Sequence, residues 1–229
     1  MLRIILAGCH GRMGRQVTSH CRIRSDVCIV AGIDRNNLPS ASFPVFSKVS
    51  SCIPSADVMI DFSHPGLLDE LLTFCCKHQM PVVLAVTGYS PQQLNQIQLA
   101  SHTIPIFQSA NLSIGASILL KLTKQAAIAL GPDFGASITE RHHCQKIDSP
   151  SGTALMLSAV IPQTADIFSI RAGTTAGEHG VMFAGPDEVL ELTHRADSRE
   201  VYVAGAVRAA HFLSETVKPG LFGMDDLLK

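Results

Sequence analysis

Short apolar runs alternate with longer segments of mixed polarity through the first half of the chain. The runs of strand length are residues 2–7, 27–33, 57–62, 81–87 and 104–107. The segments with helical spacing and end signals are residues 12–24, 65–78 and 91–102. Strands that alternate with helices in this way predict a parallel sheet wound by right-handed crossovers.

The pattern changes from residue 131 onward, after a predicted helix at residues 115–130. Strand-like segments then follow with few helices between them, at residues 136–143, 166–171, 180–183 and 189–193. A further helix is predicted at residues 200–214, and residues 35–56 are expected to have little regular structure. We therefore predict an α/β domain of residues 1–113 and 199–229, and a smaller α+β domain of residues 114–198 with a mainly antiparallel or mixed sheet.

Composition narrows the classes of function. The 229 residues suffice for one large domain or two small ones, and a net charge of -1 gives no reason to expect a nucleic-acid partner. The hydrophobic content of 46% includes no apolar run that could span a bilayer, and no signal-peptide layout follows Met1. The seven cysteines have no disulfide-framework spacing. We expect a cytoplasmic protein with no membrane partner.

A glycine-rich turn follows the first predicted strand. It reads Gly8-Cys9-His10-Gly11-Arg12-Met13-Gly14, which shifts the first glycine of the dinucleotide fingerprint by one place. Glycines let the backbone approach a pyrophosphate, and the start of the following helix favours the pyrophosphate's charge. Residues 8–13 are therefore predicted to bind a dinucleotide.

The second predicted strand ends at the acid–arginine pair Asp34–Arg35. Dinucleotide folds place a ribose-binding acid at this distance from the glycine-rich turn. A carboxylate can bond the ribose 2′-hydroxyl, whereas a guanidinium could pair with a 2′-phosphate. Both NADH and NADPH therefore remain open as the cofactor, and we expect a mild preference for NADH.

Most of the candidate chemistry lies between Glu140 and Thr153. If the segment before Pro150 is extended, Glu140, His142 and Lys146 share one face, and Arg141 and His143 share the other. A turn over residues 148–152 precedes a predicted helix, whose first amides would point at an anion. The consecutive residues 142–144 do not spread as zinc ligands do, so we predict no metal site.

This segment resembles the signature of the 4-hydroxy-tetrahydrodipicolinate reductase family, Glu-x-His-His-x-x-Lys-x-Asp-x-Pro-Ser-Gly-Thr-Ala. Similar motifs occur at residues 8–14, at residues 34–35 and in the run Leu221-Phe222-Gly223-Met224, so the resemblance covers most of the chain. It implies NAD(P)H-dependent reduction of 4-hydroxy-tetrahydrodipicolinate to tetrahydrodipicolinate in diaminopimelate and lysine biosynthesis. It also implies a Rossmann-like first domain, onto which residues 221–227 pack back.

The resemblance also implies roles for individual residues. His142 is the expected proton donor, and Lys146 is expected to hold a carboxylate or developing negative charge. The dicarboxylate substrate is expected to contact His143, Ser151, Gly152 and Thr153. Two further loops are expected to contact the cofactor. The first comprises Ala85, Val86 and Thr87, and the second comprises Ser109, Ala110, Asn111 and Leu112.

Two departures from the family bear on these expectations. Relatives usually read Gly-Thr-Thr-Gly where this chain has Ala85-Val86-Thr87-Gly88, and the chain is shorter than many relatives between Val160 and Asp166. The family resemblance implies a homotetramer built through the second domain's sheet. His179 and His194 are interpreted as sheet and interface residues outside the site.

Two other functions remain open. One is a two-domain dehydrogenase of the semialdehyde or homoserine type, in which Cys144 would serve as the nucleophile. The other is a dinucleotide-binding sensor without turnover, which the altered loop at residues 85–87 and the shortened second domain would favour.

Overall fold

The computed structural model describes residues 1–36, 38, 42–52 and 55–229. The chain forms two compact units. The first comprises Met1–Leu112 and Tyr202–Lys229, and the second comprises Ser113–Val201.

A seven-stranded parallel sheet forms the first unit, in the order β11-β6-β5-β4-β1-β2-β3. Its strands are β1 (Leu2–Ala7), β2 (Val27–Ile33), β3 (Val45–Phe46), β4 (Val58–Asp61), β5 (Val82–Leu84), β6 (Pro105–Gln108) and β11 (Gly220–Phe222). Its helices are α1 (Arg12–Arg22), α2 (Leu68–His78), α3 (Pro91–Ala100), α6 (Glu200–Glu215), which begins just before the unit boundary, and α7 (Met224–Leu227).

Both faces of this sheet are covered, which explains why its strands are continuous apolar runs. Leu6 on β1 packs in a buried cluster with Val17 of α1 and Val207 of α6. Ile5, its neighbour on the opposite face, packs in a second cluster with residues of α2 and α3. The predicted Rossmann-like parallel fold is confirmed.

The expectation that residues 35–56 have little regular structure agrees with the described part of this stretch. The described residues of this stretch include β3 and a short 3-10 turn at Val49–Ser51. β3 pairs with β2 at only two positions, which is too short to leave a periodic signal in the sequence. Residues 37, 39–41 and 53–54 of the same stretch lie outside the described residues.

The second unit has a four-stranded mixed sheet in the order β10-β9-β7-β8. Its strands are β7 (Gly135–His142), β8 (Ala165–Arg171), β9 (Gly177–Ala184) and β10 (Val189–Ala196). β7 and β8 are parallel, and the other two pairs are antiparallel, so the predicted mixed sheet is confirmed. Helices α4 (Ile114–Leu130) and α5 (Gly152–Ala159) contribute Leu119 and Leu157 to the core on one face.

None of the described helices combines the length and apolar character that crossing a membrane requires.

Candidate active site

The glycine-rich turn is folded tightly against the end of β4 and the start of α1. Gly8 has a φ of 75°. A Cβ atom there would lie 2.7 Å from the carbonyl oxygen of Phe62, and one at Gly14 would lie 2.1 Å from the carbonyl oxygen of Gly8. Both positions therefore require glycine. α1 begins after Gly11 without a side-chain cap, so its first amides can bind an anion.

Asp34 is oriented by the same turn. Its Oδ2 accepts a 3.0 Å hydrogen bond from the backbone N–H of His10, and its Oδ1 accepts one of 3.2 Å from Asn36. A cavity of about 320 Å³ lies beside this carboxylate, and its lining includes Gly8, Gly11, Asp34, Arg35, Ser63 and His64. The narrow glycine turn, the helix start and the acid suit the adenosine and phosphate half of a dinucleotide.

Other residues of the predicted dinucleotide loop take different positions. Cys9 is buried, and its Sγ would lie 2.6 Å from a Cβ atom at Gly32, so only its backbone can contact a cofactor. Burial raises the pKa of the Cys9 thiol to about 11. The ring Nε2 of His10 is 2.9 Å from the carbonyl oxygen of Leu38, and Arg12 is exposed at the first residue of α1.

A second cavity in the first unit lies at the C-terminal ends of β5 and β6. Its lining comprises Met13, Phe62, Ala85, Ser109, Ala110, Leu112 and Tyr202. Asn111 shapes the turn, because Ser109 Oγ donates to its carbonyl oxygen at 2.7 Å. Val86 is buried and Thr87 is exposed just beyond Ala85. Tyr202 comes from a distant part of the chain, so no local sequence pattern could assign it to this cavity.

In the second unit, strand register brings a group of titratable side chains onto the inner face of the sheet. His142 on β7 is paired with Arg171 on β8, and Glu140 on β7 is paired with His179 on β9. Glu140 is fully buried. Its Oε2 is hydrogen-bonded to Nδ1 of His142, and its Oε1 accepts a 3.2 Å bond from the backbone N–H of Ser151.

Arg171 binds Glu140 with both of its terminal nitrogens. Nη1 donates to Oε2 at 2.9 Å, and Nη2 donates to Oε1 at 2.7 Å. Nη2 also donates to the carbonyl oxygen of Asp148 at 2.7 Å. Arg171 therefore joins the buried carboxylate to the loop that follows β7. No local pattern in the sequence marks Arg171 as a site residue, because β8 is distant in sequence from β7.

These contacts determine the ionisation of the group. Burial alone would raise the pKa of Glu140, but hydrogen bonds from Arg171, Ser169 and His142 outweigh it and lower that pKa to about 2. Burial lowers the pKa of His142, and the Glu140 carboxylate only partly opposes this effect. Burial lowers the pKa of His179 to about 4. At neutral pH the Glu140–Arg171 ion pair thus sits beside two largely neutral imidazoles.

His179 belongs to this group, contrary to its interpretation as a residue outside the site. Its ring centroid is 5.1 Å from that of His142 in an edge-to-face arrangement, and its Nε2 is 3.0 Å from Oγ of Ser151. His194 on β10 is paired with His179 in the strand register and helps to lower the pKa of His179, and its Nε2 is 3.3 Å from Oγ of Ser113.

The segment before Pro150 is not extended throughout, so the condition for a shared face of His142 and Lys146 is not met. β7 ends at His142, because the next amides bond a neighbouring loop: His143 N–H donates to the Thr175 carbonyl at 2.9 Å. A turn then forms, in which Lys146 N–H donates to the His143 carbonyl at 3.1 Å. Lys146 therefore lies on a loop rather than on the strand face of His142. Its charge still lowers the pKa of His142, and its Nζ pairs with Asp148 at 2.8 Å.

The predicted turn and helix after residue 148 are confirmed. Ser151 caps α5, since its Oγ accepts a 3.3 Å bond from the Ala154 amide, and Gly152 and Thr153 form the first turn of the helix. Because the Ser151 hydroxyl is engaged by this cap and by His179, the backbone at the helix start is the better donor for a bound carboxylate.

The first unit is a doubly wound parallel sheet with a glycine-rich turn, and the second unit presents paired acids and bases. Together these features define a two-domain oxidoreductase of the dinucleotide-binding type. Comparison with known families makes this specific. A family model described as dihydrodipicolinate reductase, N-terminus, matches residues 2–112, and its C-terminal counterpart matches residues 115–228. The chain belongs to the dihydrodipicolinate reductase family.

Individual relatives agree with this assignment. The 4-hydroxy-tetrahydrodipicolinate reductase of Clostridium tetani (strain Massachusetts / E88) is 41% identical over 250 residues, which cover 100% of this chain and 97% of the relative. That of Caldanaerobacter subterraneus subsp. tengcongensis is 41% identical over 251 residues, with 100% and 99% covered. A dipicolinate-bound dihydrodipicolinate reductase from Paenisporosarcina sp. TG-14 shares the fold, with a TM-score of 0.84 and 24% identity over 97% of each chain.

Proposed function

We propose that this protein catalyses the NAD(P)H-dependent reduction of 4-hydroxy-tetrahydrodipicolinate to tetrahydrodipicolinate in diaminopimelate and lysine biosynthesis. The observation that carries the proposal is the placement of His142. Its Nδ1 is hydrogen-bonded to the buried Glu140, and the charge of Lys146 is close enough to lower the pKa of its ring. The identity with reductases of this name over the full chain supports the same substrate.

The first unit has the features that a nicotinamide dinucleotide needs. When bound, this cofactor would supply the hydride. The turn at Gly8–Gly14 and the first amides of α1 suit the pyrophosphate, and Asp34 suits the adenine ribose. Both NADH and NADPH are proposed as cofactors, with a mild preference for NADH, because the Asp34 carboxylate repels a 2′-phosphate and Arg35 softens that repulsion.

The second unit is proposed to bind the dicarboxylate and to supply the proton. The net reaction adds one hydride and one proton to the substrate and releases one water molecule. Lys146, His143 and the backbone at Ser151–Thr153 would hold the two carboxylates, as cations and amides suit anions. His142 would donate the proton from Nε2, because Nδ1 is bonded to Glu140.

A homotetramer in the cytoplasm is also proposed. The outer face of the second unit's sheet exposes large apolar side chains, with Phe168 at 56%, Met182 at 39% and Val189 at 58% of their surface. Such a face is stabilised when a second copy covers it. The seven cysteines are free thiols, which suits a reducing compartment. Light scattering that gives the 24.5 kDa mass of a single chain at micromolar concentration would contradict any oligomer.

The proposal is tested by ligand binding and turnover together. We expect NADH and pyridine-2,6-dicarboxylate, a planar analogue of the substrate, each to raise the melting temperature. We also expect NADH oxidation to depend on added 4-hydroxy-tetrahydrodipicolinate. Stabilisation by NADH alone, without turnover, would indicate a sensor. Retained activity in Cys144→Ser would exclude a cysteine-dependent aldehyde dehydrogenase, whereas its loss would favour one.

A further inference from the structure

We propose that Glu140 and Arg171 act together as positioning residues, which fix the tautomer of His142 and hold its proton affinity in the working range. The proposal rests on the proton-donating role of His142 proposed above. Neither residue needs to touch the substrate. Each acts through His142.

Glu140 determines which ring nitrogen can face a ligand. An ionised carboxylate only accepts hydrogen bonds, so Nδ1 of His142 must carry the hydrogen that lies between it and Oε2. The carboxylate is held in place by Arg171 and by the Ser151 amide, and it is fully buried. Nε2 is thus the nitrogen that gives up a proton, and the neutral ring remains in the Nδ1–H tautomer afterwards.

Arg171 supplies a compensating charge. A buried carboxylate alone beside a histidine would strongly favour the imidazolium and raise the histidine's pKa. The two-point contact from Arg171 cancels that negative charge yet leaves the carboxylate oxygen as an acceptor for Nδ1. His142 is therefore oriented without being locked in the charged form. The Arg171 bond to the Asp148 carbonyl also ties the loop that carries Lys146 to the same pair.

Charged and titratable groups approach His142 from each packed element. Glu140 lies on β7, Arg171 on β8 and His179 on β9, while the ion pair of Lys146 and Asp148 lies on the loop. Removal of the Glu140 charge leaves His142 beside the unpaired Arg171 and should favour the neutral ring. Removal of the Arg171 charge leaves it beside an unpaired carboxylate and should favour the imidazolium.

Two variants therefore have opposite expected effects. We expect the pH above which kcat falls to move down by about one pH unit in Glu140→Gln and up by about one pH unit in Arg171→Gln. Glu140→Gln should also lower kcat at least about tenfold, since an amide can hold either tautomer. The matched controls are Glu178→Gln and Arg141→Gln, which break an exposed ion pair of 3.1 Å between β9 and β7 on the other face of the sheet. Both controls should keep the wild-type pH profile.

A measurement on the wild-type enzyme does not depend on whether the variants fold. The ¹⁵N shifts of the His142 ring, assigned by their loss in His142→Gln, should show the Nδ1–H tautomer when the ring is neutral. An Nε2–H tautomer would overturn the proposal, as would equal or parallel shifts of the pH profile in the two variants. The tautomer can be read without substrate, so a protein that shows the Nδ1–H form but no turnover would refute the proposed function and leave only the fixing of the tautomer by Glu140 standing.

Discussion

The Glu140 carboxylate and the His142 imidazole are two residues apart on β7 and are hydrogen-bonded on the inner face of the sheet. The strand's two-residue period places both side chains on that face, and the register with β8 adds Arg171 to them. The proposed proton donor is thereby oriented by rigid sheet backbone instead of by a loop. We expect the substrate contacts, by contrast, to lie on the loop and at the start of α5.

We expect the cofactor preference to depend on Asp34. Asp34→Ala should weaken NADH binding roughly tenfold, because it removes a charged acceptor for the ribose hydroxyls. It should weaken NADPH binding less, because the same change relieves repulsion of the 2′-phosphate. Titration of both cofactors by intrinsic fluorescence of the reduced nicotinamide checks this. Asp69→Ala, at an exposed position on α2, is the control, and an equal loss for NADPH would show that the assigned role is wrong.

Gly14 is predicted to be irreplaceable. In Gly14→Ala the new Cβ atom would lie 2.1 Å from the Gly8 carbonyl oxygen, so the turn must open. Strain of about 1–3 kcal/mol would lower the melting temperature by roughly 2–12 °C and weaken NADH binding. Gly135→Ala is the matched control, because its new Cβ atom has only an ordinary 3.9 Å contact. Unchanged melting and NADH affinity in Gly14→Ala would contradict the described turn.

Stability should depend on pH through His179. Its folded pKa of about 4 lies below the ordinary value of 6.5, so the unfolded chain binds a proton that the folded protein does not. The free energy of unfolding should thus fall by about 3 kcal/mol from this residue as pH drops from about 6.5 to about 4. Urea unfolding at several pH values should show a smaller dependence in His179→Gln. His102→Gln, at an exposed site, is the control. If the free energy of unfolding depends on pH equally in both variants, His179 is not the cause.

Lys146 should affect both turnover and substrate binding. Lys146→Ala removes the cation that pairs with Asp148 and influences His142, so kcat should fall. The KM for the dicarboxylate should rise roughly tenfold, which corresponds to about 1.4 kcal/mol of lost binding, while NADH affinity stays constant. Lys124→Ala, at an exposed position on α4, serves as control. A rise in the dissociation constant of NADH would place Lys146 in a different role.

Local patterns were sufficient for most of the fold. β1 and β2 have the predicted bounds, because each is a continuous apolar run closed by a glycine or an acid. The glycine-rich turn and the helix that follows the turn over residues 148–152 were also found, since spacing within a few residues defines both.

Partners that are distant in sequence could not be found in this way. Arg171 and His179 reach the site through the register of β8 and β9 with β7, which no single segment encodes. The end of β7 at His142 likewise depends on backbone bonds to the loop that contains Thr175. The candidate proton donor was thus predictable, whereas the residues that orient it were not.

The central claim is that His142 donates the proton in an NAD(P)H-dependent reduction, and steady-state kinetics of His142→Gln tests it most directly. We expect kcat to fall by roughly a hundredfold or more, the usual scale for loss of a general acid, with little change in KM. NADH affinity should remain that of the wild type. A His142→Gln enzyme with near-normal kcat would contradict the claim.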